Sequence, residues 1–303
     1  MDIAIMLEGQ NGLTWPRWQN IARAVEDLGF AGLYRSDHFT NAQPPDKESL
    51  ELWVSLTWLA SHTKRIEFGP LVSPVSFRHP AFTARMAAAV DDLSGGRLTL
   101  GLGAGWQERE HRLFGFDLLS MEGRFDRFEE GLEVITSMLN SDGPVTFEGK
   151  YFQLHEATLL PCPLRPGGPS ILIGGNGEKR TLPLVARYAD EWNAIFTQPA
   201  EFARLSARLD ELLQAQGCEP EFVKRSMITG LRFGRTRDEL DEKLATRNQT
   251  AEDLRKRGFI VGVGEEVREQ LVELEKADVQ RLMLQWLDLD DLKGLEALAK
   301  AVL

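Results

Sequence analysis

Asp37 and His38 are adjacent at the end of a short apolar run, GLYRSDH over residues 32–38. Histidine is the side chain most readily tuned to give and take a proton near neutral pH, and a carboxylate beside it can orient the ring. The same pair also reads as a histidine satisfied by a backbone carbonyl and an aspartate capping a loop. A second candidate is GGNGEKR, residues 174–180. Gly174, Gly175, Asn176 and Gly177 let backbone approach a ligand closely, and free amides at a helix start bind phosphate. Lys179 and Arg180 fall in the expected first turn, where the helix dipole favours acids; a bound anion resolves that conflict. In the other reading both point to solvent, with Glu178 offsetting part of the charge. A third candidate is GLGAGW, residues 101–106. Small residues at Gly103, Ala104 and Gly105 allow a flat ring to lie against backbone, or simply serve a tight loop. They do not reproduce the GxGxxG spacing of dinucleotide sites.

Other chemistries find less support. The histidines are His38, His62, His79, His111 and His155, and none forms an HxH or HExxH pattern, so no metal site is expected. No G-x-S-x-G nucleophile elbow occurs. Cys162 and Cys218 fit neither a metal spacing nor a disulfide framework, which points to a reducing, cytoplasmic setting.

The elements that must position these groups alternate along the chain. Strands are expected at 2–8, 32–38, 66–72, 98–105, 171–175, 191–196, 226–234 and 281–287, each followed by amphipathic sequence. Thr14 and Gly29 bracket a helix with Trp18, Ile21, Ala22, Val25 and Leu28 on one face. The helix after strand three carries Phe82, Met86, Ala89, Val90 and Leu93. Eight β-then-α units favour an α/β fold, a closed (β/α)8 TIM barrel, over an open sheet. Residues 1–303 read as one domain with insertions at about 141–170 and 236–264, the first holding a hairpin turned at Gly149. In such a barrel, chemistry sits at the carboxyl ends of the strands. That rule selects Glu8, Ser36, Asp37, His38, Ser73, residues 103–106, residues 174–177, Asn193, Arg232, Gln285 and Trp286. Pro70 and Pro74 cannot donate to a ladder, so strand three should bulge or stop there.

The chain has 303 residues with a net charge of −11, 43% hydrophobic and 27% charged. That composition is ordinary for a globular protein, and the acidic balance argues against nucleic acid or an anionic membrane as partner. The start, MDIAIMLEGQ, lacks the basic and long apolar parts of a signal peptide, and no run suits a membrane span.

Taken together, these stretches resemble the bacterial luciferase-like flavin and deazaflavin oxidoreductases. The matching segments are LGFAGLYRSDHF (28–39), LVSPVSFRHP (71–80), LSGGRLTLGLGAGWQEREHRLFG (93–115), the segment from Arg124 to Glu130, ILIGGNGEKRTLPLVARYADEWN (171–193) and the terminal LMLQWLDLDDLKGLE. They cover nearly the whole chain in order and are most similar to the branch that uses coenzyme F420.

The resemblance implies a barrel with the ring system in its mouth and a bulge after strand three, often with a non-proline cis peptide, near Pro70 to Val72. It implies ring and tail contacts from Leu71, Val72, Ser73, Gly103, Ala104 and Gly105, and a phosphate loop at Gly174 to Gly177 aided by Lys179 and Arg180. Asp37 and His38 match the pair beside the reacting ring carbon, with His38 as proton donor or acceptor and Asp37 as its orienter or a ring contact. Glu8, Trp106 and Glu110 would shape the substrate side. Sugar-phosphate members carry a Trp shortly after the Asp-His pair and a Glu straight after the strand-four glycines. Here Thr40-Asn41-Ala42 and Trp106 stand there, which speaks against a sugar phosphate.

The implied activity is F420-dependent hydride transfer to or from a small organic substrate. An FMN monooxygenase, which needs a flavin reductase as partner, is the alternative; a non-catalytic binding barrel and a metal hydrolase follow. Basic residues at the rim, such as Arg78 or Arg180, would favour the acidic tail of F420. Family members are commonly dimers, and Trp53, Leu56, Trp58 and Leu59 could supply a homodimer face.

Overall fold

The computed structural model describes residues 1–303. The chain opens with β1 (Asp2–Leu7), α1 (Trp15–Leu28), β2 (Gly32–Arg35), α2 (Leu52–His62), β3 (Glu67–Pro70), β4 (Ser73–Pro74) and α3 (Pro80–Ser94). It continues with β5 (Thr99–Gly103), α4 (Glu108–Phe114), α5 (Met121–Asn140), the hairpin β6 (Val145–Glu148) and β7 (Gln153–Ala157), β8 (Ser170–Gly174) and α6 (Thr181–Tyr188). Then follow β9 (Glu191–Ile195), α7 (Pro199–Ala215), β10 (Lys224–Phe233), α8 (Arg237–Thr246), α9 (Ala251–Lys256), β11 (Ile260–Gly262), α10 (Gly264–Lys276), β12 (Arg281–Gln285) and α11 (Leu292–Val302).

The main sheet is parallel, in the order β3-β2-β1-β12-β10-β9-β8-β5-β4. Phe68 of β3 bridges Leu98 beside β5, and this contact brings the two ends of the sheet together. The result is a nearly closed (β/α)8 barrel in which β3 and β4 share one position. Pro70 ends β3, Leu71–Val72 is a cis peptide, and pairing resumes at Ser73 against Leu102. The interruption expected at the two prolines is therefore present.

Burial follows the patterning. In α1, Trp18, Ile21, Ala22 and Val25 are buried, and Gly29 ends the helix at φ 97°. The layer between helices and strands is one continuous apolar core. Each Leu or Ile buried there contributes about 1.5–3 kcal/mol by leaving water. Inside the cylinder, Ala4, Met6, Tyr34, Leu71, Leu172, Ile228 and Met283 form a separate cluster, with Val72 packed on it.

The amino end of the barrel is closed by charge. Arg281, which opens β12, is 4% exposed and donates to Tyr34 Oη at 2.6 Å, to Glu191 at 2.9 Å and to Glu67. These partners come from β2, β9 and β3. A buried guanidinium holds its charge only where acceptors surround it, as they do here.

Several strands are shorter than the sequence pattern suggests. β2 stops at Arg35, so Asp37 and His38 lie in the connection that follows; β5 stops at Gly103, leaving Ala104 and Gly105 in a loop. The stretch 236–264 contains two helices and β11, which pairs parallel with β10 and which sequence reading did not anticipate. In α3 the inward face is Thr83, Ala84, Ala87, Ala88 and Val90, whereas Phe82 and Leu93 are exposed. Small alanines let that helix pack closely, and the large residues lie off the stripe. Of the expected dimer face, Trp53, Leu56 and Leu59 are core, and Trp58 stacks on His62 at 4.1 Å. That face is used within the chain.

Candidate active site

The carboxyl ends of the strands gather the polar groups. Because β2 ends early, the connection from Ser36 to Thr40 turns across the mouth, and adjacent side chains reach different partners. His38 Nδ1 lies 2.8 Å from Glu110 Oε1, and the Phe39 amide donates to Glu110 Oε2 at 3.0 Å. Glu110, from α4, is 1% exposed. A carboxylate only accepts, so the network assigns the proton of neutral His38 to Nδ1. The Gln107 amide nitrogen, 3.2 Å from Nδ1, has its acceptor in the Thr40 carbonyl at 3.1 Å. His38 Nε2 has no hydrogen-bond partner in the protein, and Trp106, 61% exposed, meets the ring edge-on at 5.6 Å.

Burial works against a charge on His38. The Glu110 hydrogen bond, the Glu110 charge and the charges of Glu8 and Asp37 outweigh it, so the His38 pKa stands above the ordinary value. His111, nearby in α4, behaves oppositely. Burial lowers its pKa, its Nδ1 donates to the Gln107 carbonyl at 2.7 Å, and its Nε2 accepts from Ser76 Oγ at 2.7 Å. His111 is a fully engaged structural imidazole; His38 is half engaged.

Asp37 does not touch His38. It accepts from Ser73 Oγ at 2.7 Å and pairs with Arg78, whose other nitrogen donates to Glu51 at 2.9 Å. The imidazole's orienter is Glu110, expected on the substrate side, and Asp37 is held in a separate ion network. Arg78 is accordingly committed to two carboxylates. Glu8 accepts from Gln285 at 2.6 Å and Gln10 at 2.8 Å, across the same mouth.

Val72 marks the floor of the mouth. An added Cβ at Gly103 would come within 2.7 Å of Val72 Cγ2, and one at Gly101 within 2.1 Å of the Pro70 carbonyl. Only glycine admits the β3–β4 crossing there, which explains Gly101 and Gly103 on either side of the core residue Leu102.

The loop after β8 forms a row of open donors. The Gly175 amide is taken by the Asn193 carbonyl at 3.0 Å, but no backbone N–H from Asn176 to Thr181 has a partner in the protein. The Asn176 side chain ties the loop to β9, accepting from the Ile195 amide and donating to its carbonyl, both at 2.8 Å. The helix begins at Thr181, with Arg180 as its N-cap, so Lys179 and Arg180 precede the first turn rather than occupy it. Arg180 pairs with Asp126 at 2.7 Å, which relieves the conflict with the dipole. Lys179 is exposed.

Sequence reasoning missed Gln107 and Gln10, and it assigned Arg78 to the rim. Their only signal is position, directly after a strand or before a helix at the mouth. No cluster of three or more His, Cys, Asp or Glu side chains is arranged to hold a metal ion.

A profile of the luciferase-like monooxygenase family matches residues 1–257. The chain belongs to that family. The phthiodiolone/phenolphthiodiolone dimycocerosates ketoreductase of Mycobacterium tuberculosis is 32% identical over 205 residues, 66% of this chain and 52% of that protein. The F420-dependent hydroxymycolic acid dehydrogenase of the same organism is 31% identical over 201 residues, 66% of this chain and 54% of that protein. The chain thus spans about half the length of the curated relatives it matches. Among solved structures, an F420-dependent secondary alcohol dehydrogenase in complex with an F420-acetone adduct superposes with a TM-score of 0.88 at 20% identity, over 99% of this chain and 98% of that one. At that identity the likeness confirms the barrel.

Proposed function

We propose that this luciferase-like protein is an F420-dependent oxidoreductase acting on a small organic substrate at the carboxyl mouth of the barrel. The observation that carries this is the His38–Glu110 pair: one ring nitrogen is fixed by a buried carboxylate and the other is left unpaired at the open end. Reduction or oxidation of a carbonyl–alcohol pair moves a proton along with the hydride, and such a histidine is built to hold that proton. The names of relatives point the same way, one being a ketoreductase and one an F420-dependent dehydrogenase.

The residues fit the coenzyme. The unpartnered amides from Asn176 to Thr181 would hold its phosphate, as helix-start donors do. Leu71, Val72 and Ser73, with Gly103, Ala104 and Gly105 alongside, would lie against its ring, where glycine keeps the wall flat. F420, when bound, supplies the hydride donor or acceptor. His38 Nε2 holds the proton exchanged with substrate oxygen. Glu110 fixes the ring and sustains the imidazolium. Asp37, balanced by Arg78, keeps Ser73 in place. Glu8 and Trp106 face the substrate side, and Lys179 serves the acidic tail better than Arg78 or Arg180, both of which are paired. No helix is long and apolar enough to cross a membrane, and we place the protein in the cytoplasm, with Cys162 and Cys218 as free thiols.

Titrating the coenzyme-free chain with F420 and with FMN, followed by absorbance, tests the reading. Saturable F420 binding with weak FMN binding is the expected result. Tight FMN binding without F420 binding would make the protein a flavin monooxygenase instead.

A further inference from the structure

A cavity of about 330 Å³ lies between the end of β10, α8 and the segment following β12. Its walls include Arg232, Lys243, Arg247, Gln285, Trp286 and Asp288. It opens on the same end of the barrel as His38. In the strand register Gly230 of β10 pairs with Gln285, which pairs in turn with Met6 of β1. Arg232 and Glu8 each lie two residues beyond that level. Both share the parity of Ile228 and Met6, which line the barrel interior. Gln285 belongs to the cavity wall and also donates to Glu8, one of the charges felt by His38.

Arg232 is the unusual group. It is 9% exposed, yet no carboxylate contacts it. Its Nε donates to the Gln249 side chain at 3.2 Å and one terminal nitrogen donates to the Leu231 carbonyl at 2.8 Å, both neutral acceptors. Its other terminal nitrogen has no partner. Phe259 covers the guanidinium face at 5.5 Å. Burial weighs against its charge, Arg247 and Arg257 add to that, and only Asp288 opposes them. The acids of the cavity are otherwise engaged. Glu239 binds Arg235 and Lys243, and Asp288 binds Lys243 and Arg247. Glu242 is exposed. Fully buried Arg35, at the end of β2, also lacks a carboxylate but places every nitrogen on a neutral acceptor; half-buried Arg78 has two carboxylates, and Arg281 at the amino end has two as well. A nearly buried guanidinium with no contacting carboxylate and a donor left open to the cavity favours an anion there, since Asp288 offsets only part of its charge.

We propose that Arg232 seats an oxyanion of the substrate, a carboxylate or phosphate, in the cavity between β10, α8 and the end of β12. The assignment rests on the reading of the mouth as the reaction site and adds the substrate's chemical class to it. The cavity is near the lower limit of ligand pockets, so it takes an anionic head group and little more. The planar donor fork of arginine suits a two-oxygen acceptor. The remainder of the substrate then extends past Gln285 and Glu8 toward His38.

The test follows the arginine Nε–H signals by 15N NMR in the full chain without coenzyme. Arg232→Gln and Arg232→Lys identify the Arg232 signal by its loss. Inorganic phosphate and acetate are then added in turn, with sodium chloride at matched ionic strength as control. The expected result is a saturable shift of that signal with a Kd of ~1–10 mM for at least one anion, beyond the change chloride causes. A signal that stays still, or that chloride moves equally, overturns the proposal. F420 titration of the Arg232→Lys variant separates the two sources of such an anion. Coenzyme affinity within about two-fold of the parent assigns the seat to the substrate; a loss of ~10-fold or more assigns it to the coenzyme's acidic tail and overturns the substrate assignment. Failure of the parent chain to bind F420 counts against the coenzyme reading alone, whereas an indifferent Arg232 signal counts against the seat alone.

Discussion

The buried carboxylate of Glu110 accepts from His38 Nδ1 at 2.8 Å and from the adjacent Phe39 amide at 3.0 Å, so one side chain of α4 fixes both the ring and the backbone that carries it. His38 is thereby locked in one tautomer with its second nitrogen available.

Replacing His38 by alanine removes the proton carrier while leaving the loop donors and the ring floor intact. Turnover should fall by ~10²-fold or more. Affinity for F420, measured by absorbance titration, should stay within a few-fold of the parent. Equal turnover in variant and parent would remove His38 from the chemistry.

Glu110→Gln replaces a charged acceptor with a neutral one. The His38 pKa, raised in the parent, should fall, and its NMR titration should move to lower pH. Turnover should drop by ~10–10²-fold, since the ring is held less firmly. Stability follows by linkage. A folded-state pKa raised above the unfolded value contributes stability that is complete below the unfolded pKa and fades as pH climbs through the folded one. The parent should therefore gain stability over Glu110→Gln on acidification from about pH 8 to about pH 6 in urea melts. A gap that is constant across that window would show that His38 does not titrate differently in the fold.

Asp37 and Arg78 should be coupled. Removing Asp37 leaves Arg78 with only the half-exposed Glu51, so Asp37→Ala should cost ~2–4 kcal/mol. The double variant with Arg78→Ala should cost clearly less than the sum of the singles. Additive losses would show that the pair acts as two independent residues.

Asn176→Ala should loosen the donor loop by removing both of its ties to Ile195. F420 affinity should weaken ~10-fold while turnover at saturation stays within ~3-fold. Loss of turnover with affinity unchanged would contradict a binding role for this loop.

Gly101→Ala should force a Cβ into the Pro70 carbonyl, at 2.1 Å, with no flexible atom to yield. Overpacking of this kind costs ~1–3 kcal/mol, visible as a lower urea midpoint. A neutral outcome would mean that β3 and β5 can separate more readily than their contact suggests.

Much of this was readable from residue order. Short apolar runs and one-sided helical stripes placed the eight barrel positions, because parallel strands covered on both sides must be apolar and their helices one-sided. Pro70 and Pro74 located the interruption for a simple reason: neither can donate. The partners were harder to read. Asp37 is adjacent to His38 in sequence, yet the bend after Arg35 sends its carboxylate to Ser73 and Arg78, while the imidazole finds Glu110 seventy-two positions away. Side-chain pairing across the mouth depends on where strands stop, and strand ends are the least periodic part of the pattern. Arg180 is a similar case, since a half-turn's delay in helix onset turned a dipole conflict into an ion pair with Asp126. β11 escaped notice because three residues are too short to show an alternation.

The Arg281 cluster has a kinetic consequence. With Tyr34, Glu191 and Glu67 locked around it, the cylinder has a stopper at one end, and everything that reacts must arrive and depart through the other. Whichever of the two reactants sits deeper is trapped until the shallower one has gone, so exchange should be strictly ordered, last in and first out.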